Sequence, residues 1–230
     1  MPLARRLGAD QPFYAMQQFE FGEQVVPFSS IEAMAQAYVG AVRALRPAGP
    51  YIFAGMCSAG AYVACEMAQQ ARASGEDIEL LVLLDPVYGE VAEGCSQSRM
   101  LVSRAAGIAQ SLVGRPDADA DLPVLRAELA EVLSAAGLEP QLLNLAPGRL
   151  SQFLEFFAAN HQAMLAYSPQ PYAGRTVIFI PGLSRGDGGL LSETEWKTLI
   201  PAAEVHVVAA DRVSLYQDPE VVAFIAAALR

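Results

Sequence analysis

Two histidines and three cysteines are all that 230 residues offer to imidazole and thiol chemistry, so few positions can carry either. The cysteines, Cys57, Cys65 and Cys95, are odd in number and lack paired spacing. That argues against a disulfide framework and fits a reducing compartment, so the expected location is the cytoplasm. No Cys/His cluster has zinc spacing, and no metal is expected. Positive charge is scarce as well: 15 Lys and Arg stand against 25 Asp and Glu, for a net charge of −10. Phosphate backbones need clustered basic side chains, so nucleic acid is set aside as a partner. The longest apolar run, Val221 to Leu229, is far too short for a bilayer. No apolar block follows the basic N-terminal residues Met1 to Arg6, so neither a membrane partner nor a secretory signal is expected.

What is present is a globular composition, 53% hydrophobic and 17% charged, long enough for one domain with a sizeable core. Strand and helix patterns alternate, which predicts an α/β protein with a mostly parallel sheet. Phe13 to Gln17 reads as a short first strand. Ser29 with Glu32 forms a capping-box signal, after which Ile31, Met34, Ala35, Tyr38, Val39, Val42 and Leu45 recur at helical spacing. Leu80 to Leu84 is a continuous apolar run, as a strand buried on both faces requires, and it ends at Asp85. Between Pro86 and about Tyr172 strand signals stop, and two helical patterns appear, Pro123 to Ala136 and Arg149 to Leu165. Strands resume at Thr176 to Ile180 and Val205 to Ala209, and Asp218-Pro219 opens a last helix. The Gly-rich, polar stretch Pro181 to Thr194 reads as a surface loop.

The densest signal is Gly55-Met56-Cys57-Ser58-Ala59-Gly60, set between the apolar run Tyr51 to Ala54 and a helical pattern. Ala61, Ala64, Cys65, Ala68 and Ala71 put small residues on one face of that helix, which closes at Gly75. Strand, turn and helix in this order predict a nucleophile elbow: a sharp, strained turn presents Cys57, and the N–H of Ser58 helps to hold an oxyanion. Cysteine stands where the Gly-x-Ser-x-Gly pattern has serine, and Ala59 where it has its second glycine. A small buried cysteine between strand and helix is the plain alternative.

Gly49 to Gly60, then Glu66-Met67-Ala68, then Leu81 to Asp85, resemble the thioesterase domains of nonribosomal peptide and polyketide assembly lines. Pro2 to Gly8, Tyr167 to Gly174 and Asp218 to Val221 extend the resemblance over nearly the whole chain. It implies an α/β-hydrolase fold with helices on both sheet faces, a single domain over residues 1–230, a core of 1–85 and 167–230, and a helical lid at about 86–166. It further implies Cys57 as nucleophile, Asp85 as the acid of a triad, and an acyl or peptidyl carrier protein as partner. The carrier would deliver a small-molecule acyl substrate on its own phosphopantetheine arm, with no cofactor held by this chain.

Two departures bear on the chemistry. Family members carry histidine after the last strand; here the stretch is Ala210-Asp211-Arg212-Val213-Ser214, with Arg212 at the histidine's position. The strand and glycine-containing oxyanion loop that begin the family's domains are not found ahead of the Met1 to Gly8 stretch, as a trimmed N-terminus, a sheet closed around the gap or a strand from another polypeptide would each explain. A cysteine, unlike a serine, keeps nucleophilicity without a base, and a helix N-terminus and Arg212 would both favour its thiolate. Deacylation by water still needs a base. The expectation is therefore acyl transfer, cyclisation or slow hydrolysis through acyl-Cys57, against the alternative of an impaired protein that binds a carrier domain or an apolar product. His161, on the face of Leu150, Phe153, Leu154 and Phe157, is the candidate surrogate base, and His206 reads as a sheet residue.

Overall fold

The computed structural model describes residues 2–8, 10–16, 27–86, 107, 147–183, 188–211 and 214–229. The chain divides into two compact units. The larger comprises Met1–Met16, Ile31–Tyr88 and Tyr167–Arg230, and the smaller Gln17–Ser30 and Gly89–Ala166. The described elements are α1 (Pro2–Leu7), α2 (Ile31–Leu45), β1 (Tyr51–Met56), α3 (Cys57–Ala73), β2 (Ile78–Leu84), α4 (Pro147–Ala166), β3 (Thr176–Pro181), α5 (Gly188–Leu199), β4 (Glu204–Val208) and α6 (Pro219–Ala228). In the smaller unit, α4 spans the expected Arg149–Leu165 helix. The expected helix Pro123 to Ala136 lies outside the described residues.

The larger unit is built on a four-stranded parallel sheet in the order β1-β2-β3-β4. Leu80 to Leu83 of β2 are each 0% exposed. Because alternate residues face opposite sides, both faces of this strand are covered, which is why its sequence is uninterruptedly apolar. One face packs Leu80, Val82, Leu84, Val177 and Phe179 against Leu3 of α1, Leu215, and Val221 and Ile225 of α6. On the other face lies α3, which bridges β1 and β2. Its Ala61, Ala64, Cys65, Ala68 and Ala71 are all buried, so only methyl-sized groups separate the helix from what it covers. The helix ends where Gly75 takes φ +84, a conformation open to glycine, and donates to the Arg72 carbonyl at 2.9 Å. Arg43 of α2 grips the following turn with a two-pronged bond to Glu76, Nε–Oε1 2.6 Å and Nη2–Oε2 3.1 Å. At the far end Asp218 accepts from the Glu220 N–H at 2.8 Å with Pro219 at the first helical position, the start signal read in the sequence.

Four expectations are corrected. Residues 12–16 form no strand, and Gln17 lies outside the described residues. Phe13 packs instead on the cluster beneath the sheet, and alternation without a neighbouring strand supplies no ladder. Residues 188–199 of the expected loop Pro181 to Thr194 and beyond are helix α5, while Pro181 closes β3. Burial of Trp196 and Ile200, each 0% exposed, outweighs the poor helix propensity of the glycines. Helix α2 begins at Ile31, one residue later than the Ser29–Glu32 box predicts. Leu45 at its end is 65% exposed instead of continuing the buried stripe.

Among the described strands β1 pairs only with β2, and its Ala54 and Met56 are exposed. Its covered face depends on Gly55. A Cβ there would strike the Gly60 carbonyl, with Gly60 C at 2.7 Å and Ala64 Cβ at 2.8 Å. A Cβ on Gly60 would meet nothing nearer than Gly55 C at 3.8 Å. Gly55→Ala should therefore destabilise by about 3 kcal/mol or more, since backbone must move. Gly60→Ala should be neutral or stabilising by up to about 1 kcal/mol through helix propensity. Urea unfolding of the two variants reads the contrast, and similar midpoints would refute the close approach.

Candidate active site

The last registered pair of β1 and β2 is Met56 with Leu84. The next residue of each chain is Cys57 and Asp85, so the two leave the carboxyl ends of adjacent parallel strands side by side. That end is where open α/β sheets place their sites. Both residues have left-handed backbones, Cys57 with φ 58 and Asp85 with φ 47, and no other non-glycine described residue does. For an L-residue this costs about 1–2 kcal/mol, somewhat less for aspartate, whose short side chain tolerates it. At Cys57 the reversal converts an extended chain, Met56 at φ −120 and ψ 145, into the first turn of α3 within one residue. Met56 provides no side-chain cap. The Ser58 N–H lies in that first turn, where it has no acceptor within the helix, and points along the positive end of the helix dipole. The Ser58 side chain lies outside the described residues.

Asp85 is fixed from both directions. Its N–H donates to the Phe179 carbonyl of β3 at 2.8 Å. The carbonyl of Pro86, the next residue, accepts from Trp196 Nε1 at 3.1 Å in a buried bond. Trp196 is not among the residues that the sequence motifs mark. The signal available was the recurrence of Trp196, Leu199 and Ile200 at helical spacing directly after the supposed loop.

Further along α3 the residues are structural. Burial pushes the Cys65 thiol up to about 12, with the neighbouring Glu66 carboxylate adding to the effect. Glu66 accepts from Tyr167 Oη at 2.6 Å and from Gln70 Nε2 at 2.8 Å. Burial first, then the bond to Glu66, hold the Tyr167 phenol protonated far above its ordinary range. Tyr167 is the first residue after α4, so this bond fastens the chain where it re-enters the larger unit.

His161 sits on α4 in the smaller unit, half-buried, and burial lowers its pKa, favouring neutral imidazole. Of its expected face, the side chains of Leu150, Phe153 and Leu154 lie outside the described residues. His206 packs its ring 5.2 Å from Phe179 and 5.3 Å from Phe224. Its Nε2 lies 2.8 Å from Glu204 Oε1 and its Nδ1 3.6 Å from Glu220 Oε1, a position that joins β4 to α6. Arg212 and Cys95 lie outside the described residues. On the two sides of position 212, Asp211 Oδ1 accepts from the Ser214 N–H at 2.7 Å and from Ser214 Oγ at 2.8 Å. Among the described residues no group of three or more His, Cys, Asp or Glu could hold a metal ion, and no helix is long and apolar enough to cross a membrane.

Residues 1–229 match the family described as Thioesterase domain. The chain belongs to that family. The indigoidine synthase of Dickeya dadantii is 40% identical over 84 residues, which is 36% of this chain and 6% of that protein. The atromentin synthetase greA of Suillus grevillei is 25% identical over 201 residues, 84% of this chain and 20% of that protein. This thioesterase-family chain thus spans a small fraction of the length of the curated relatives it matches. Among solved structures, the RedJ thioesterase from the prodiginine pathway of Streptomyces coelicolor aligns with TM-score 0.62 and 18% identity, over 98% of this chain and 79% of that one. The NocB thioesterase domain in covalent complex with a fluorophosphonate nocardicin G analogue aligns with TM-score 0.58 and 24% identity, over 91% and 77%. These similarities show the α/β-hydrolase fold, with its parallel sheet covered by helices on both sides.

The two described cysteines should differ sharply toward alkylation. Cys57 is half-buried at a helix N-terminus, whereas Cys65 is 1% exposed. With its thiol pushed up to about 12 by burial, Cys65 carries almost no thiolate at pH 8. Iodoacetamide followed by peptide mass spectrometry should label Cys57 at least about 100-fold faster than Cys65. Comparable rates would mean that the elbow does not present its sulfur.

Proposed function

We propose that this chain is a thioesterase-fold acyl-transfer enzyme that takes acyl or peptidyl chains from a carrier protein's phosphopantetheine arm onto Cys57. The observation that carries the reading is the pair of left-handed residues, Cys57 and Asp85, at adjacent strand ends. The Cys57 thiolate attacks the thioester carbonyl carbon, and the Ser58 N–H donates to the oxyanion that forms. Collapse breaks the bond to the phosphopantetheine sulfur, which leaves as thiolate and takes a proton from solvent, while the acyl group stays on Cys57. One thioester replaces another, so the step is near balance and needs no general base. Asp85 is assigned as the acid of the site, with Arg212 in the sequence position where the family carries histidine.

Release is the slow half. Water attacking acyl-Cys57 must lose a proton, and an arginine cannot take it. A neutral amine of the acyl chain itself, which attacks without prior deprotonation and then loses its proton to solvent while Cys57 leaves as thiolate, gives cyclisation or acyl transfer instead. The reading takes the activity to be cytoplasmic, as the odd number of cysteines suggests, and the phosphopantetheine arm to be the carrier protein's with no cofactor held by this chain. Arg212 at the base position also favours a second reading, a catalytically impaired protein that binds a carrier domain or an apolar product.

Mixed with acyl carrier-protein thioesters, the protein should gain the mass of one acyl group, lose that gain in Cys57→Ala, and release free acid slowly. Intact-protein mass spectrometry reads all three. Absence of any adduct across several acyl chains would decide for the binding protein. Fast multiple turnover would instead require a base, with His161→Ala the variant that tests the surrogate.

Restoring a base should convert holding into hydrolysis. Arg212→His is expected to raise the rate of free-acid release by about 100-fold or more, while acylation changes little. An unchanged release rate would separate position 212 from the reaction.

A further inference from the structure

The assignment of Asp85 above leaves open what keeps its carboxylate in place. Asp85 has a left-handed backbone, and such a conformation persists only where the surroundings over-determine it. The peptide entering Asp85 is held by the 2.8 Å bond to Phe179, which belongs to the sheet itself. Beyond Asp85 the strand ends, and a side chain from α5 holds the next described residue. Trp196 Nε1 donates to the Pro86 carbonyl at 3.1 Å, and both residues are buried. Proline has no N–H, so the Asp85–Pro86 peptide just before that carbonyl has no donor of its own.

Trp196 is in turn held against the nucleophile's helix. Its ring centroid lies 5.8 Å from that of Tyr62, on α3 about a turn and a half after Cys57, with the planes inclined at 45°. Tyr62 lies 5.5 Å from Tyr167 at 52°, and Tyr167 bonds Glu66 of the same helix. A single rigid side chain, 0% exposed, is thus referenced to α3 on one side and to the turn carrying Asp85 on the other. We propose that Trp196 is a positioning residue: its indole N–H, held on the Pro86 carbonyl, sets where the Asp85 carboxylate stands relative to Cys57. The inference rests on the reading of Cys57 and Asp85 as reacting partners. Trp196 itself touches no reacting atom and acts through Asp85.

A double-mutant cycle separates this from a role in stability alone. Octanoyl-N-acetylcysteamine serves as acyl donor to the full chain, and the rate of acyl-Cys57 formation is followed by quenched-flow mass spectrometry. Trp196→Phe, which keeps a ring and loses the N–H, should slow acylation about tenfold. Asp85→Asn should slow it at least as much. The double variant should be no slower than Asp85→Asn, because the tryptophan has nothing left to position. Additive losses, or unchanged acylation in Trp196→Phe, overturn the inference and leave the reading of Cys57 and Asp85 standing. No acyl-Cys57 in the unsubstituted protein, or wild-type acylation in Asp85→Asn, overturns that reading and the inference with it. Should Trp196→Phe not fold, the composition supplies a gentler change, since Trp196 is the only tryptophan in the sequence. Expression with the benzothiophene analogue of tryptophan replaces this one N–H by sulfur, and the same non-additivity with Asp85→Asn is expected.

Discussion

The parallel pairing of β1 with β2 is the constraint from which the candidate site follows. Parallel neighbours run in step, so the register delivers the residues that leave them, Cys57 and Asp85, to the same end of the sheet. In an antiparallel pair the same two positions would fall at opposite ends. The parallel arrangement requires a crossover, and α3 is that crossover, so the helix whose N-terminus receives Cys57 is also the connection that makes the pairing possible. Elbow and strand register are one construction, and Gly55 is the point where its two halves touch through backbone alone.

Much of this was legible in the sequence because local pattern and tertiary burial agree there. The apolar run Leu80 to Leu84 is a strand covered on both faces, the small residues of α3 lie against the sheet, and Asp218 caps α6. Legibility failed where burial overruled pattern. The glycines of α5 read as loop, yet Trp196 and Ile200 anchor the helix from its other end. Phe13 lies in a segment with the composition of a strand but no described strand beside it. At the site, the sequence singled out Cys57 and Asp85 but not Trp196. A residue that acts through a backbone carbonyl leaves no motif, since any chain has a carbonyl to offer.

Histidine placement follows the same division. The ring of His206 is absorbed by Phe179, Phe224 and two glutamates, a set of contacts that spans β4 and α6. His161 belongs to the other unit, and its burial works against charge there. The chemistry proposed for Cys57 leans on sulfur's own nucleophilicity, because an arginine, Arg212, follows the last strand in the sequence.

Both ends of the segment that leaves the sheet after β2 are fastened to the larger unit, Pro86 by Trp196 and Tyr167 by Glu66. In polymer terms this stretch of chain, which includes α4, has its two ends already brought together. The entropy of closing such a loop grows only with the logarithm of its length, so doubling it costs about 0.6 kcal/mol. Insertions, deletions or wholesale replacement between those two points are correspondingly inexpensive to the sheet. The register of β1 and β2, and with it the elbow, therefore does not depend on the length of chain between them.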